Sequence, residues 1–238
     1  MLQKCAESVG LEVRSNPFAN AYKLQKHLIK APNPVIFDVG AHIGQTYLLY
    51  RKLFPAAKLF AFEPYPASFT KLNQSVGSDS ATLTFQLALS DNDGQVPLHV
   101  NAADATSSLL PTHPAAAGNW GSGLLETSQI VNVRCRTLDS LSSELDLKHI
   151  DILKIDVQGS ELAVLHGANK LLTRKEISLL YCEVIVATTY KGQDKLHDYL
   201  RFMESLDYRL IDFFNPVRRD GRLLQFDLMY AAPALLES

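Results

Sequence analysis

Acidic side chains recur where apolar stretches of this sequence end. Asp38 and Gly40 lie at the end of VIFDVG, and Glu63 closes KLFAFE. Further along the chain, Asp156 closes DILKID and Glu183 lies in ISLLYCEV. Carboxylates attract cations, accept hydrogen bonds from hydroxyl groups and take up protons. These residue types therefore favour a ligand that carries positive charge and hydroxyls, and a reaction that moves a proton.

The loop DVGAHIG is the most informative of these positions. Gly40 lets the chain turn sharply and lets a ligand approach the backbone, and Gly44 permits close packing at a helix start. The loop is not the G-x-G-x-x-G cradle of a dinucleotide pyrophosphate. Asp38 would repel a pyrophosphate, whereas it suits the sulfonium and ammonium of S-adenosylmethionine. Glu63 is placed to accept hydrogen bonds from ribose hydroxyls, a role that NAD sites share, so an NAD(P)-dependent oxidoreductase stays an alternative.

Strand-like and helical patterns alternate along the chain and would position these residues. This alternation predicts one α/β domain with a parallel sheet and crossover helices, whose ligands bind beyond the carboxyl ends of the strands. The last two strands, with a turn near Asp220 and Gly221, predict a hairpin. The predicted strands of the sheet are 35–39, 58–63, 82–90, 151–156, 177–184, 208–214 and 223–231, with further strands at 95–100 and 130–136 and helices at 43–54, 66–76, 159–172 and 193–206.

Two segments lie outside this alternation. Residues 1–33 form an N-terminal segment with a predicted helix that Asn16 and Pro17 would begin, and residues 34–238 form the main domain. Within the main domain, residues 101–129 are rich in Ala, Ser, Gly and Pro. Loops of this length are usually functional lids or disordered, so we expect a lid or an acceptor-binding insertion there.

Composition excludes several classes of protein. The chain has 238 residues, of which 47% are hydrophobic, so it is neither disordered nor fibrous. Its 23 Lys and Arg against 25 Asp and Glu give a net charge of −2, which disfavours general nucleic-acid binding. No apolar run reaches the roughly 18 residues of a membrane span, and the start lacks the apolar block of a secretory signal. Three cysteines predict no disulfide framework, so we expect a cytoplasmic protein; a homo-oligomer is possible.

Five motifs in order resemble the FkbM-type methyltransferases: VIFDVGAHIGQT, FAFEPYP, LALSDNDG, RTLDSL and DILKIDVQGSELAVLHGA. The resemblance covers residues of about 35–232. It implies a Rossmann-like class I methyltransferase fold, with a mostly parallel seven-stranded sheet, an antiparallel C-terminal hairpin strand and helices on both faces. It also implies O-methylation of a small-molecule or glycan acceptor with S-adenosylmethionine as cofactor. A non-catalytic member that binds a nucleoside is a further alternative.

The resemblance also assigns residues to the cofactor. It implies that the first loop surrounds the methionine part, that Glu63 binds the ribose, that residues 88–90 lie near the adenine, and that Asp156 lies beside the methyl group. One departure from the family is Gln158, where Glu is frequent. The complete predicted cofactor set is Asp38, Gly40, Ala41, Gly44, Glu63, Pro64, Ala88, Leu89, Ser90 and Asp156.

A hydroxyl is a poor nucleophile, so a base should accept its proton. Asp156 and Glu161 are the first candidates for this catalytic role and Glu183 is the next. Glu161 has an equally good structural interpretation, because a carboxylate at a helix start is favourable against the helix dipole. Asp156 and Glu183 could instead hold a divalent cation. Since no third ligand is obvious, the sequence does not predict a metal site.

Three further features could contribute. His113 lies in the predicted lid and is an outside candidate for the base. Trp120 could stack on a sugar or simply anchor the lid. Arg218, Arg219 and Arg222 surround the hairpin turn, where they could grip an anionic acceptor or lie in a solvated turn.

Overall fold

The structure is a computed structural model that describes residues 20–237. Its strands are β1 (Val35–Val39), β2 (Lys58–Phe62), β3 (Thr82–Phe85), β4 (Ala88–Leu89), β5 (Gly94–Asn101), β6 (Thr127–Arg136), β7 (Ile150–Ile155), β8 (Ile177–Ile185), β9 (Arg209–Arg219) and β10 (Arg222–Ala231). Seven of them form one sheet in the order β3-β2-β1-β7-β8-β10-β9. The first five strands of that order are parallel to one another, and β10 is antiparallel to both β8 and β9. The predicted fold class is confirmed.

Helices cover both faces of this sheet. They are α1 (Ala21–Leu28), α2 (Gln45–Leu53), α3 (Pro66–Val76), α4 (Ala116–Trp120), α5 (Leu138–Glu144), α6 (Glu161–Gly167), α7 (Asn169–Thr173), α8 (Leu196–Ser205) and α9 (Pro233–Leu236). Asn20 caps α1 by accepting a hydrogen bond from the Lys23 N–H at 3.1 Å. The predicted helix start at Asn16 and Pro17 lies outside the described residues. No helix among residues 20–237 is both long and apolar enough to cross a membrane.

Two apolar cores explain why these strands are buried. Side chains alternate between the faces of a strand, so Phe37 of β1 packs in one core and its neighbour Ile36 packs in the other. The Phe37 core includes residues of α5, α6, α7 and α8, and the Ile36 core includes residues of α1 and α2. Continuous apolar runs are typical of parallel strands that are buried on both faces. Because α1 shares the second core, residues from Ala21 onward pack as part of the main domain.

Two predicted elements are divided in the structure. The strand predicted at 82–90 is β3 in the main sheet and β4 in a separate three-stranded sheet of order β4-β6-β5. The helix predicted at 159–172 is split into α6 and α7 around Ala168. Asp139 of α5 explains the second helix start, since its carboxylate accepts hydrogen bonds from the backbone N–H groups of Lys170 at 2.9 Å and Leu171 at 3.1 Å.

Candidate active site

A cavity of about 370 Å³, here called the main cavity, opens beyond the carboxyl ends of β1, β2 and β7. Parallel strands bring their carboxyl ends to one edge, so loops that are distant in the sequence meet there. Five residues of the predicted lid form part of its wall: Asp104, Ala105, Ser107, Ser108 and Leu109. Seven of the ten predicted cofactor residues line it: Gly40, Ala41, Glu63, Pro64, Ala88, Leu89 and Asp156.

Gly40 is required by the close approach of two loops. Its φ is +78°, and a Cβ atom built there would lie 1.8 Å from the Asp156 carbonyl oxygen. The Asp156 N–H in turn donates to the Val39 carbonyl at 3.0 Å. The loops after β1 and β7 are therefore in direct contact, and only glycine fits between them.

Glu63 lies at the end of β2 with its carboxylate turned into the first loop. Its Oε1 accepts a hydrogen bond from the Tyr65 N–H at 2.8 Å, and its Oε2 accepts one from the His42 N–H at 2.9 Å. Burial raises the pKa of Glu63, while these two N–H groups act in the opposite direction. Each oxygen keeps a further lone pair, so Glu63 can still accept hydrogen bonds from two ligand hydroxyls.

Asp38 does not present a free charge to the main cavity, contrary to the expectation from the sequence. Its side chain is buried, and its Oδ1 lies 3.0 Å from the Nζ atom of Lys154 in β7. Lys154 Nζ also lies 3.6 Å from Asp156 Oδ2 and donates to the Gly40 carbonyl at 3.1 Å. The two carboxylates raise the pKa of Lys154, so it stays protonated at neutral pH. With both carboxylates ionised, the net charge of this trio is −1, and an ionised Glu63 adds a second negative charge.

Gly44 and Ser90 also lie outside the wall of the main cavity. Gly44 precedes α2 with a φ of +94°, and its Cβ position would lie 3.0 Å from the Ser75 Cβ of α3. Ser90 lies against Gly167, where an added Cβ would be 2.0 Å from the Ser90 carbonyl oxygen. Both positions contribute to the packing of loops and helices next to the cavity.

Glu161 is not a candidate base in the structure, which corrects the sequence prediction. It is fully buried and lines neither this cavity nor the neighbouring one described below. Its carboxylate accepts hydrogen bonds from the Val157 N–H at 2.9 Å, from the Gly159 N–H at 3.0 Å and from the Tyr199 hydroxyl at 3.2 Å. Glu161 therefore holds the loop between β7 and α6 in shape, the structural role that its place at a helix start allowed.

A second cavity of about 250 Å³, here called the polar cavity, adjoins the main one. Lys154 and Asp156 line both cavities, and Glu183 lines only the polar one. The structure thus brings Asp156 and Glu183 to one site, with Gln158 Nε2 donating to Asp156 Oδ1 at 2.9 Å and to Glu183 Oε2 at 2.7 Å. Its wall consists of Tyr22, Lys154, Ile155, Asp156, Tyr181, Glu183, Asn215, Val217, Gln225 and Asp227. Within residues 20–237, no group of three or more His, Cys, Asp or Glu side chains is arranged to hold a metal ion.

The predicted lid is fixed to the rest of the site by polar contacts. His42 Nε2 of the first loop lies 3.1 Å from Asp104 Oδ1, and the Ser108 hydroxyl donates to the Gln158 carbonyl at 2.6 Å. Trp120 Nε1 donates to the Thr189 hydroxyl at 2.7 Å and lines neither cavity. The structure therefore supports the anchoring role of Trp120.

The other outlying candidates also stay outside both cavities. The His113 N–H donates to the Thr189 carbonyl at 2.8 Å, and its Nδ1 accepts from the Ala115 N–H at 3.1 Å. The three arginines of the hairpin are exposed, and Arg219 donates to the Asn119 carbonyl at 3.0 Å. These residues connect surface segments to one another.

Known proteins are similar to this chain at both the sequence and the fold level. The family profile described as the methyltransferase FkbM domain matches residues 38–210. The 2-O-methyltransferase NoeI of Sinorhizobium fredii is 29% identical over 188 residues, which cover 76% of this chain and 75% of that protein. The 31-O-demethyl-FK506 methyltransferase FkbM of Streptomyces tacrolimicus is 32% identical over 157 residues, which cover 57% of this chain and 60% of that protein. The solved structure of an rRNA methylase from Streptococcus thermophilus aligns with a TM-score of 0.51 at 12% identity, over 91% of this chain and 96% of that chain, which shows a shared fold alone.

Proposed function

We propose a reaction for this chain from the premise that it belongs to the methyltransferase FkbM domain family. The reaction is transfer of a methyl group from S-adenosylmethionine to a hydroxyl oxygen of a small-molecule or glycan acceptor. The relatives support oxygen as the receiving atom, since two of them carry an O-methyl position in their names. The main cavity supports the proposed binding of the cofactor, and the position of Asp156 supports the proposed proton transfer.

The residues of the main cavity fit S-adenosylmethionine. Its volume of about 370 Å³ lies within the range of about 300–1,000 Å³ that is usual for small-molecule sites. The lone pairs of Glu63 suit the two ribose hydroxyls. Leu87, Ala88 and Leu89 provide an apolar strip for a flat base. The net negative charge of Glu63 and of the Asp38–Lys154–Asp156 trio suits a ligand with two cationic groups.

When bound, S-adenosylmethionine supplies a methyl group that its sulfonium already activates. The protein therefore mainly orients the acceptor and accepts the proton of the acceptor hydroxyl. Asp156 is the proposed base, because its half-exposed carboxylate lines both cavities. The acceptor oxygen gains the methyl carbon, the bond between that carbon and sulfur breaks, and the hydroxyl proton passes to Asp156. Lys154 cannot be the base, since its flanking carboxylates keep it protonated.

Calorimetry tests the cofactor half of this proposal. The purified protein should bind S-adenosylmethionine and its demethylated product, S-adenosylhomocysteine, at one site per chain, and should not bind NAD. Binding of NAD in place of both would reject the methyltransferase proposal in favour of the oxidoreductase alternative.

Asp156→Asn tests the catalytic half and the non-catalytic alternative together. This variant should keep its affinity for S-adenosylhomocysteine within a few-fold, and should lose at least about 100-fold of its turnover with labelled S-adenosylmethionine and a panel of monosaccharides. Asp146→Asn is the matched control, because Asp146 is exposed and lines neither cavity. Equal turnover of both variants would exclude Asp156 as the base.

A further inference from the structure

The polar cavity contains more carboxylates than the proposed reaction requires. Besides the Asp156 carboxylate, which the main cavity shares, its wall carries Glu183 of β8 and Asp227 of β10. These two strands are antiparallel neighbours, and Glu183 pairs directly with Asp227 in their register. Both side chains therefore project from the same face of the sheet into the polar cavity.

The donor groups around Glu183 are already used within the protein. Gln158 Nε2 donates to Glu183 Oε2 at 2.7 Å, and Gln225 Nε2 donates to Glu183 Oε1 at 3.0 Å. Both contacts leave additional lone pairs on the carboxylate. Toward the cavity, Glu183 is therefore an acceptor of hydrogen bonds.

The same arrangement recurs at Asp227. Its Oδ2 accepts hydrogen bonds from the Tyr181 hydroxyl at 2.5 Å and from Asn215 Nδ2 at 2.8 Å. Asn215 Nδ2 also donates to the Tyr181 oxygen at 2.9 Å. The neutral donors on this side of the cavity thus serve Asp227, and the carboxylate keeps lone pairs for a ligand.

Lys154 is the one cation among the described residues that line the polar cavity, and its charge faces carboxyl groups of the protein itself. Its Nζ atom faces Asp38 Oδ1 at 3.0 Å, Asp156 Oδ2 at 3.6 Å and the Gly40 carbonyl at 3.1 Å. Asp38 and Asp156 thus compensate the positive charge of Lys154, which leaves little of it to attract an anionic ligand. The wall therefore has three carboxyl groups against one cation, and burial raises the pKa of two of them, Glu183 and Asp227.

The rings of Tyr22 and Tyr181 complete the wall, with centroids 5.6 Å apart and an edge-to-face angle of 68°. An aromatic face attracts a cation and packs against the C–H face of a sugar ring. Burial first, and then the charges of Asp156, Glu161 and Asp227, raise the pKa of Glu183 well above its ordinary value. A bound cation would oppose that repulsion.

We infer that the polar cavity binds the methyl acceptor, and that this acceptor is a polyhydroxylated molecule bearing a protonated amine, rather than one bearing a carboxylate or a phosphate. The inference rests on the proposed function for the reaction, but the charge preference follows from the wall itself. A hydroxyl-rich ligand can donate to the remaining lone pairs of Glu183 and Asp227, and its ammonium offsets the excess of carboxyl groups over cations.

Three ligands on one carbon skeleton test the inference: the methyl glycosides of glucosamine, glucose and glucuronic acid. Their affinities are measured by ligand-observed NMR on the full chain saturated with S-adenosylhomocysteine. The expected order is amine, then neutral sugar, then acid, with about tenfold between the first and the last. The inference is overturned if the acid binds as tightly as the amine, if the amine binds no better than the neutral sugar, or if none of the three binds.

Two variants test whether the carboxyl groups of the polar cavity cause the preference for the amine over the acid. Asp227→Asn and Glu183→Gln keep the shapes of their side chains, and each should reduce the ratio of amine to acid affinity at least about threefold. Asp220→Asn is the control on the same hairpin, because Asp220 is exposed at the turn and lines neither cavity, and it should leave the ratio unchanged. An unchanged ratio in the two folded cavity variants would also overturn the inference. The titration with S-adenosylhomocysteine comes first and distinguishes the two proposals. If the protein does not bind S-adenosylhomocysteine, the proposed function is rejected, whereas the order of the sugar affinities tests only the inference about the acceptor.

Discussion

Glu63 is the residue on which cofactor affinity should depend most directly. Glu63→Gln replaces the carboxylate by a neutral amide. Its NH₂ group cannot accept the hydrogen bond that the His42 N–H or the Tyr65 N–H now donates to Glu63. Hydrogen bonds to a charged acceptor contribute about 1.5–3 kcal/mol, so affinity for S-adenosylhomocysteine should fall about 10- to 100-fold. Calorimetry measures this loss. Glu204→Gln, on the exposed face of α8, is the control and should retain full affinity. If Glu63→Gln also retained full affinity, Glu63 would not be a cofactor-binding residue.

Lys154 should contribute strongly to stability, because it neutralises the buried Asp38. Lys154→Met leaves that carboxylate without a counter-charge and should reduce the free energy of unfolding by about 3–5 kcal/mol. The double variant Lys154→Met with Asp38→Asn should recover part of the loss. Urea unfolding measures both values.

The control for Lys154 is an exposed pair of the same type. Lys148→Met removes a contact with Asp146 on the surface, and it should not change the free energy of unfolding measurably. A loss below about 1 kcal/mol in Lys154→Met would show that Asp38 is not charged in the folded protein.

For single residues, the sequence predicted site side chains from their place at strand ends, and those that stay at the rim line one or both cavities. Glu63, Asp156 and Glu183 are such cases. Lys154 was missed because it lies within DILKID, where a single charge in a buried strand gives no signal of the partner that neutralises it. Glu161 was a candidate base because it was expected at the same rim as Asp156, beside an equally good structural interpretation. Its side chain is instead buried behind a loop in which Gln158 and Gly159 have positive φ, which the sequence pattern does not reveal.

At the scale of elements, the contact between the ends of β1 and β7 holds the two halves of the site together. Gly40→Ala would place a Cβ atom 1.8 Å from the Asp156 carbonyl oxygen and must separate these loops. We expect a loss of more than about 3 kcal/mol in unfolding free energy and more than about tenfold in affinity for S-adenosylhomocysteine. Chemical denaturation and calorimetry measure the two effects.

Gly192→Ala is a matched control for Gly40→Ala. Gly192 has a φ of +79°, nearly equal to that of Gly40, yet no atom lies within 4 Å of its Cβ position. In this variant the alanine is strained in a left-handed backbone conformation, which should reduce the free energy of unfolding by only about 1–2 kcal/mol. Its ligand affinity should not change. If the two alanine variants behave alike, contact between the loops does not determine the site.

Element type was predictable because hydrophobic periodicity reports which residues are buried. The seven strands of the main sheet and the C-terminal hairpin follow from it. Periodicity does not report which strand is the neighbour, so the passage from β3 to β4 at Gln86 and Leu87 was not visible, although the chain there changes from one sheet to another. The split of α6 from α7 was hidden for a similar reason, since the cap comes from Asp139, about thirty residues earlier in the chain.

At the scale of the whole molecule, the site draws on residues from Tyr22 to Asp227, nearly the full described chain. Such a site forms only when the fold is complete, so ligand binding and global stability should be linked. Its buried carboxylates also make stability depend on pH, because burying a charge costs free energy that protonation avoids.

The sign of that pH dependence follows from Glu161. Burial raises its pKa from 4.5 to about 7, against the N–H donors of Val157 and Gly159. Between these values the folded chain holds a proton that the unfolded chain has lost, so the free energy of unfolding should fall as pH rises through this window, by about 3 kcal/mol at most. Glu183, whose pKa is also raised, acts in the same direction. Asp79, Asp93 and Asp104 have lowered pKa values and affect stability only in more acidic solution.

Urea unfolding at pH 5, 6, 7 and 8 and constant ionic strength measures this slope. The wild-type chain should be most stable at pH 5 and lose stability steadily toward pH 8. Glu161→Gln should be less stable than the wild type at pH 5, because an amide cannot accept hydrogen bonds from both sides of the loop, but its slope should be flatter. A wild-type free energy of unfolding that rises with pH would mean that Glu161 is ionised throughout, held so by its N–H donors.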